Sequence, residues 1–380
     1  MEPIVIVGSG MAGYGLAREF RKRNSEQPLT ILTADDGAVY SKPLLSTALA
    51  QGQAADQLQQ HTAEALADQL GVQIRTQTRV ERIDTSSRQL HVDGSCLSYR
   101  HLVLALGADP VDPGLAGDAA DRVMRVNDLQ DYRRFRNRLQ GRRRVVILGG
   151  GLIGCEFAND LILAGYAVDL VHPREWPLER LLPPALGAVF VDQTRERGLN
   201  WHLQRKARAV WHAGDGVRVE LDNGDSLTAD LVLSAIGLRP RTTLARDAGL
   251  QVARGIVVDR RLNASVPSVS AIGDCAEVDG LVLPYVQPLL TQVRTLAALL
   301  AGEDTALTYP AMPVTIKTPI LPLVVGGVAP EPGQCWQTDA VDGGWRSCLY
   351  AADGSLQGFA LAGAATRERS TLAKQLPPLL

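Results

Sequence analysis

Two glycine-rich turns of one design constrain this chain more than any other feature. Near the start, the apolar run Ile4–Val7 leads into Gly8-Ser9-Gly10-Met11-Ala12-Gly13, a helical pattern to about Arg23, and a second apolar run, Leu29–Thr33. About 140 residues later, Val145–Leu148 leads into Gly149-Gly150-Gly151-Leu152-Ile153-Gly154, a helix to about Ala164, and the run Val168–Val171. In a GxGxxG turn the first glycine permits the tight bend and the second lets the backbone approach a pyrophosphate. The third lets helix and strand pack closely. The open helix start then offers free N–H groups and a positive dipole end to the phosphates. One such motif is weak evidence, since isolated matches are often only turns. Two, each after an apolar strand and before a helix, imply two dinucleotide sites. Gly8, Ser9, Gly10, Met11, Ala12 and Gly13 line the first, and Gly149, Gly151 and Gly154 the second. The repeat distance is far too long for a solenoid.

A chain of 380 residues has room for about two to three domains. With 46% hydrophobic and 21% charged residues it composes like a soluble globular protein. A net charge of −2 leaves no general basic face for nucleic acid. No apolar stretch reaches the roughly 18 residues of a membrane span. The start, Met-Glu-Pro-Ile-Val-Ile-Val, lacks the features of a secretory signal, so the expected location is cytoplasmic. Cys96, Cys155, Cys275, Cys335 and Cys348 have neither CxxC nor metal-ligand spacing, and reduced, mostly buried thiols are expected.

Such a site normally has an acidic residue at the end of its second strand to bind ribose hydroxyls. In the first unit that place falls at Ala34-Asp35-Asp36, which assigns Asp35 or the adjoining Ala34 backbone to the ribose. Both aspartates read equally well as turn residues. In the second unit it falls near His172, followed by Pro173-Arg174-Glu175. His172 cannot repel a 2′-phosphate as an acid would, and Arg174 is able to accept one. The reading favours NADH and leaves NADPH open. Asn223-Gly224 marks a hairpin within Val217–Leu227. The stretch 306–380 is rich in Pro and Gly with short β-like runs. The expected fold is α/β: two Rossmann-like domains and a small C-terminal α+β domain.

Further motifs resemble the FAD-dependent pyridine nucleotide–disulfide oxidoreductase superfamily. Leu102-Val103-Leu104-Ala105-Leu106-Gly107 resembles the exit from its FAD domain, and Leu233-Ser234-Ala235-Ile236-Gly237-Leu238-Arg239-Pro240 the return from its nicotinamide domain. Ala271-Ile272-Gly273-Asp274 resembles its second FAD signature, whose aspartate holds the flavin ribitol. The resemblance implies a discontinuous FAD domain (1–110 and 238–305), an NAD(P)H domain (111–237) and a C-terminal domain (306–380). The dithiol of the disulfide reductases is missing: the corresponding segment is Tyr40-Ser41-Lys42-Pro43-Leu44-Leu45-Ser46, and the tail has no histidine. Electrons must then leave the flavin directly, for a one-electron carrier, oxygen or a quinone.

That segment, Val314-Thr315-Ile316-Lys317-Thr318-Pro319 and the short tail are most similar to the rubredoxin–NAD(+) reductases. Flavorubredoxin reductases and the ferredoxin reductases of oxygenase systems are close neighbours. The resemblance implies bound FAD, NADH as hydride donor and rubredoxin as acceptor. It places Lys42 and Lys317 beside the isoalloxazine, pairs Glu156 with Lys42 as the catalytic groups, and sets the Val80 backbone against the adenine. Glu156 also reads as an acid favouring its helix start, Lys42 as a solvated loop residue, and Val80 as a core valine. Val286, before a helix expected over Leu289–Leu300, offers a free N–H toward the flavin. The arginine run Arg133 to Arg144 reads as a docking patch or as a solvated helix face. A flavoprotein that signals its redox state to a protein partner is the reading from a different class. The ending Lys374–Leu380 is too short and proline-broken for a membrane-binding helix.

Overall fold

A computed structural model describes residues 1–328 and 334–380. Each glycine turn joins a strand with a buried apolar run to a helix. Ile4–Val7 runs into helix α1 (Met11–Arg21), and Arg144–Leu148 into a second such helix described below. The first sheet has five parallel strands in the order Val269–Ala271, His101–Leu104, Ile4–Val7, Leu29–Leu32 and Gln73–Arg75. The second is also parallel: Val123–Met124, Leu231–Ser234, Arg144–Leu148, Ala167–His172 and Leu199–Leu203. Strands covered on both faces read as continuous apolar runs, which is how Ile4–Val7 and Val145–Leu148 are written.

The duplication extends beyond the turns. Between its third and fourth strands in chain order, the first unit inserts an antiparallel meander (Val80–Asp84, Gln89–Val92, Ser95–Ser98). At the matching place the second unit inserts Ala207–Ala213, Gly216–Leu221 and Ser226–Ala229. The expected hairpin is the last pair of these, turning through Gly224 at φ +89°. The two crossing segments, Ala108–Pro110 and Leu238–Pro240, pair antiparallel. One apolar core gathers residues from Ile4 to Ala105 and again from Ala245 to Tyr309, so the chain leaves this core and comes back to it.

Helix α2 (Leu129–Leu139) carries much of the arginine run and opens on Asp128, whose side chain accepts from the Asp131 N–H at 2.7 Å. Helix α3 (Leu152–Leu163) follows the second glycine turn. Helix α4 spans Val286–Leu300, so it starts three residues before the expected Leu289. Pro288 is tolerated there because first-turn residues have no intrahelical acceptor for their N–H. The C-terminal part is an antiparallel sheet in the order Val314–Ile316, Leu323–Gly327, Leu356–Gly363, Gly344–Tyr350 and Gln337–Val341.

Cys155, Cys275 and Cys348 are buried and Cys96 and Cys335 are exposed, in keeping with mostly buried thiols. The arginines of α2 mostly serve the fold. Arg133 bonds Asp56 at 2.7 Å and Gln59 at 3.0 Å, while Arg136 bonds the Gln53 carbonyl at 2.8 Å and lies over the Tyr132 ring. Arg134 pairs with Asp131 one turn back. Among the described residues no helix is long and apolar enough to cross a membrane.

Candidate functional site

The two glycine turns have the same geometry. A Cβ on Gly13 would lie 1.9 Å from the Gly8 carbonyl oxygen, and one on Gly154 would lie 1.9 Å from that of Gly149. These are the close-packing glycines. Gly10 and Gly151 differ, since a Cβ there would meet nothing within 4 Å. Their hydrogens face open space at the helix starts, where an extended phosphate group would approach. Around the first turn, the Asp35 carboxylate accepts from Thr33 Oγ1 at 2.6 Å, Ser9 Oγ at 3.1 Å and the Gly37 N–H at 2.9 Å, all through Oδ1. The turn role is thus real for Asp35, and for Asp36, which accepts from the Ala38 N–H. Ala34 and Asp35 are nevertheless exposed. Val80 is buried in the first core.

Both helix starts open on one cavity of about 730 Å³. Gly10, Met11 and Ala12 border it on one side, and Leu152, Ile153 and Glu156 on the other. Lys42, Asp274, Val286 and Lys317 also border it. Asp274 sits on the tight turn Gly273–Cys275 after the edge strand of the first sheet. The Gly273 N–H in that turn donates to Gln292 Oε1 on α4 at 2.6 Å. Burial raises the Asp274 pKa and lowers that of Lys42, and each is drawn back by the opposite charge of the other. A second cavity, about 720 Å³ and lined by Arg122, Arg125, Arg134 and Arg138, lies away from both glycine turns.

The expected Lys42–Glu156 pair is not formed. Lys42 Nζ donates to Asn127 Oδ1 at 2.8 Å, and Asn127 Nδ2 holds the Ala108 carbonyl at 2.9 Å. The partner of Glu156 is Lys317: their charged groups lie 2.9 Å apart, and the Lys317 backbone N–H donates to Glu156 Oε1 at 3.0 Å. Ser46 completes the cluster. Its hydroxyl donates to Glu156 Oε2 at 2.6 Å and accepts from Lys317 Nζ at 2.8 Å, while that ammonium also reaches the Pro43 carbonyl. The reason is geometric. The tight helical turn Lys42–Ser46 presents Ser46 to α3, and Lys42 points past it toward Asn127.

Glu156 is one of three buried polar residues on a single face of α3, at i, i+3 and i+4. Glu156, Asn159 and Asp160 are at most 4% exposed. Asn159 Oδ1 accepts from the Ile320 N–H at 3.2 Å. Asp160 accepts from the Leu49 and Ala50 N–H groups at 3.2 and 2.8 Å. A stripe of this kind is strongly unfavourable unless every member finds a partner, and here each one does, on two other parts of the chain. Sequence reasoning missed Ser46, Asn127, Asn159 and Asp160. Only Ser46 lay inside a recognised motif.

At the second glycine turn, His172 ends its strand as expected but is buried rather than facing a ligand. Its Nδ1 accepts from the Gly150 N–H at 3.0 Å, and a Cβ on Gly150 would lie 2.9 Å from the ring. The loop after it contains Leu178 at φ +57°, a left-handed backbone that costs a leucine about 1–2 kcal/mol. The Leu178 N–H donates to the Gly150 carbonyl at 2.8 Å.

Residues 2–297 match the family described as pyridine nucleotide-disulphide oxidoreductase. The chain belongs to that family. Residues 306–376 match a second family, described as the rubredoxin binding C-terminal domain. Among curated proteins, the chain is 47% identical to a rubredoxin-NAD(+) reductase of Alcanivorax borkumensis, with all of both chains covered. It is 44% identical to one of Acinetobacter baylyi, covering all of this chain and 99% of the relative. Among solved structures, it superposes on a putidaredoxin reductase in covalent complex with putidaredoxin at a TM-score of 0.89. That match has 27% identity and covers 99% of this chain and 94% of the other.

Proposed function

We propose that this chain is an FAD-dependent reductase that takes hydride from NADH and passes single electrons to rubredoxin. The observation that carries the reading is one cavity fed by two dinucleotide cradles, in a chain whose remaining part matches a rubredoxin-binding domain. The cavity suits FAD: Gly10 leaves space for the pyrophosphate, and Asp274 stands in the cavity wall for the ribitol. Bound FAD supplies the conversion of a two-electron donor into one-electron steps.

The division 1–110 with 238–305 for FAD, 111–237 for NADH and 306–380 for the acceptor rests on the core and sheet boundaries. Gly8, Ser9, Gly10, Met11, Ala12 and Gly13 cradle the FAD phosphates, Ala34 and Asp35 hold its ribose, and the Val80 backbone borders its adenine. Gly149, Gly151 and Gly154 cradle NADH. The N–H of Val286, at the start of α4 on the cavity wall, would favour negative charge on a flavin ring held in the cavity. Lys42, half-buried in the wall, is held by Asn127, and the charge of Asp274 offsets part of the burial that lowers its pKa. Glu156, fixed by Ser46 and Lys317, sets the floor against which the nicotinamide is positioned.

The cytoplasm is the location that suits such a pairing of NADH with a small electron carrier. A ferredoxin reductase is the second reading, favoured by the likeness to putidaredoxin reductase. Steady-state turnover of the flavin-loaded chain with purified rubredoxin and with ferredoxin, at one ionic strength, separates the two. Faster turnover with rubredoxin is expected, and faster turnover with ferredoxin would overturn the choice of acceptor.

A further inference from the structure

The place where a strand-end acid would select the nicotinamide is taken by a buried histidine, yet a carboxylate stands beside it. Glu179 Oε2 lies 3.2 Å from His172 Nε2 and borders the same cavity as Leu152 and Ile153. Three contacts hold the loop that carries it. The strained Leu178 backbone is bonded to the Gly150 carbonyl, the Trp176 indole N–H donates to the Leu182 carbonyl at 3.1 Å, and the His172 ring packs under Gly150. We propose that Glu179, delivered over the second cradle by His172 and the Leu178 turn, is the residue that admits NADH and rejects NADPH.

The reasoning is electrostatic. His172 accepts the Gly150 N–H through Nδ1, which leaves its proton on Nε2, 3.2 Å from Glu179 Oε2 though outside hydrogen-bond geometry. Burial lowers the pKa of the ring, so it carries no positive charge to receive a phosphate. A 2′-phosphate entering here would meet a carboxylate and a neutral ring, whereas free ribose hydroxyls would find a hydrogen-bond acceptor. Of the nearby cations, Arg174 is exposed and is the smallest of the influences on His172, while Arg180, next to Glu179, is exposed at the rim of the cavity and lacks the close approach to the His172 ring that Glu179 makes. The strain at Leu178 is understandable on this basis, since it turns the chain back over the cradle and points residue 179 inward.

The inference rests on the second cradle binding the nicotinamide dinucleotide, and its test separates the two ideas. ADP-ribose and 2′-phospho-ADP-ribose, which carry no hydride, would be titrated calorimetrically into the FAD-loaded chain and its variants. The original chain should bind ADP-ribose at least about tenfold more tightly. Glu179→Gln should reduce that preference about tenfold or more, chiefly by gain of the 2′-phosphate form. Glu179→Arg should reverse it. Arg174→Ala, with an exposed side chain removed, should leave it within about twofold. A preference unchanged in Glu179→Gln, or abolished by Arg174→Ala, would overturn the role of Glu179 while leaving the cradle intact. Binding of neither ligand by the original chain would overturn the cradle assignment and the inference with it.

Discussion

At the residue scale, Gly10 and Gly13 separate binding from folding more cleanly than any polar side chain of the site. A methyl on Gly13 collides with the Gly8 carbonyl, so Gly13→Ala should disturb the packing of α1 on its strand. A methyl on Gly10 touches no protein atom within 4 Å, and its backbone is in an ordinary region (φ −67°). Gly10→Ala should therefore leave the melting temperature of the flavin-free chain within about 2 °C while weakening FAD retention by about tenfold or more. FAD fluorescence released on dilution reads the second effect and calorimetry the first. Equal FAD retention in Gly10→Ala and the original chain would remove the pyrophosphate from that position. These glycines were legible in the sequence because the turn is local: six residues dictate its geometry. The partner of Glu156 was not. Lys42 and Lys317 are both lysines in recognisable motifs, and the choice between them depends on the direction in which the Lys42–Ser46 turn points its side chains.

At the scale of elements, α3 does two jobs with two faces. Its start is the proposed dinucleotide cradle, and its buried polar stripe binds parts of the chain far away in sequence. Glu156→Ala would leave the Ser46 hydroxyl and the Lys317 N–H without their acceptor, a loss of about 2–4 kcal/mol. Lys42→Ala, whose partner Asn127 keeps its bond to the Ala108 carbonyl, should cost about 1 kcal/mol or less. A double-mutant cycle on denaturant unfolding distinguishes the pairs. Glu156 with Lys317 should couple by about 1 kcal/mol or more, and Glu156 with Lys42 by less than about 0.5 kcal/mol. Stronger coupling to Lys42 would restore the pairing that the sequence alone suggested. Helix boundaries show the same limit: α4 starts at Val286 because Pro288 suits a first turn, and periodicity alone registers only the regular portion after it. The matching meanders of the two units were legible only in part, since short alternating strands are defined by partners that no local window contains.

At the scale of the whole molecule, the helix starts and connecting segments of the two parallel-sheet units meet the C-terminal sheet around one cavity, with α3 in its wall. The Ser46–Glu156–Lys317 cluster draws one residue from each of the three proposed domains, so their unfolding should be cooperative. Scanning calorimetry of the flavin-loaded chain should give one transition, and a separate early melt of the C-terminal part would show that the cluster contributes little. Large-scale organisation was the most legible level, because two cradles and three connecting motifs stand in order along the chain. Their interfaces were illegible, being built from contacts more than 100 residues apart. The buried stripe also limits how such chains can be recombined. An acceptor-binding tail transplanted at residue 306 brings its lysine without the serine and glutamate that neutralise it. Exchange of redox partners by tail grafting will then succeed only where donor and recipient carry compatible residues at 46, 156 and 317.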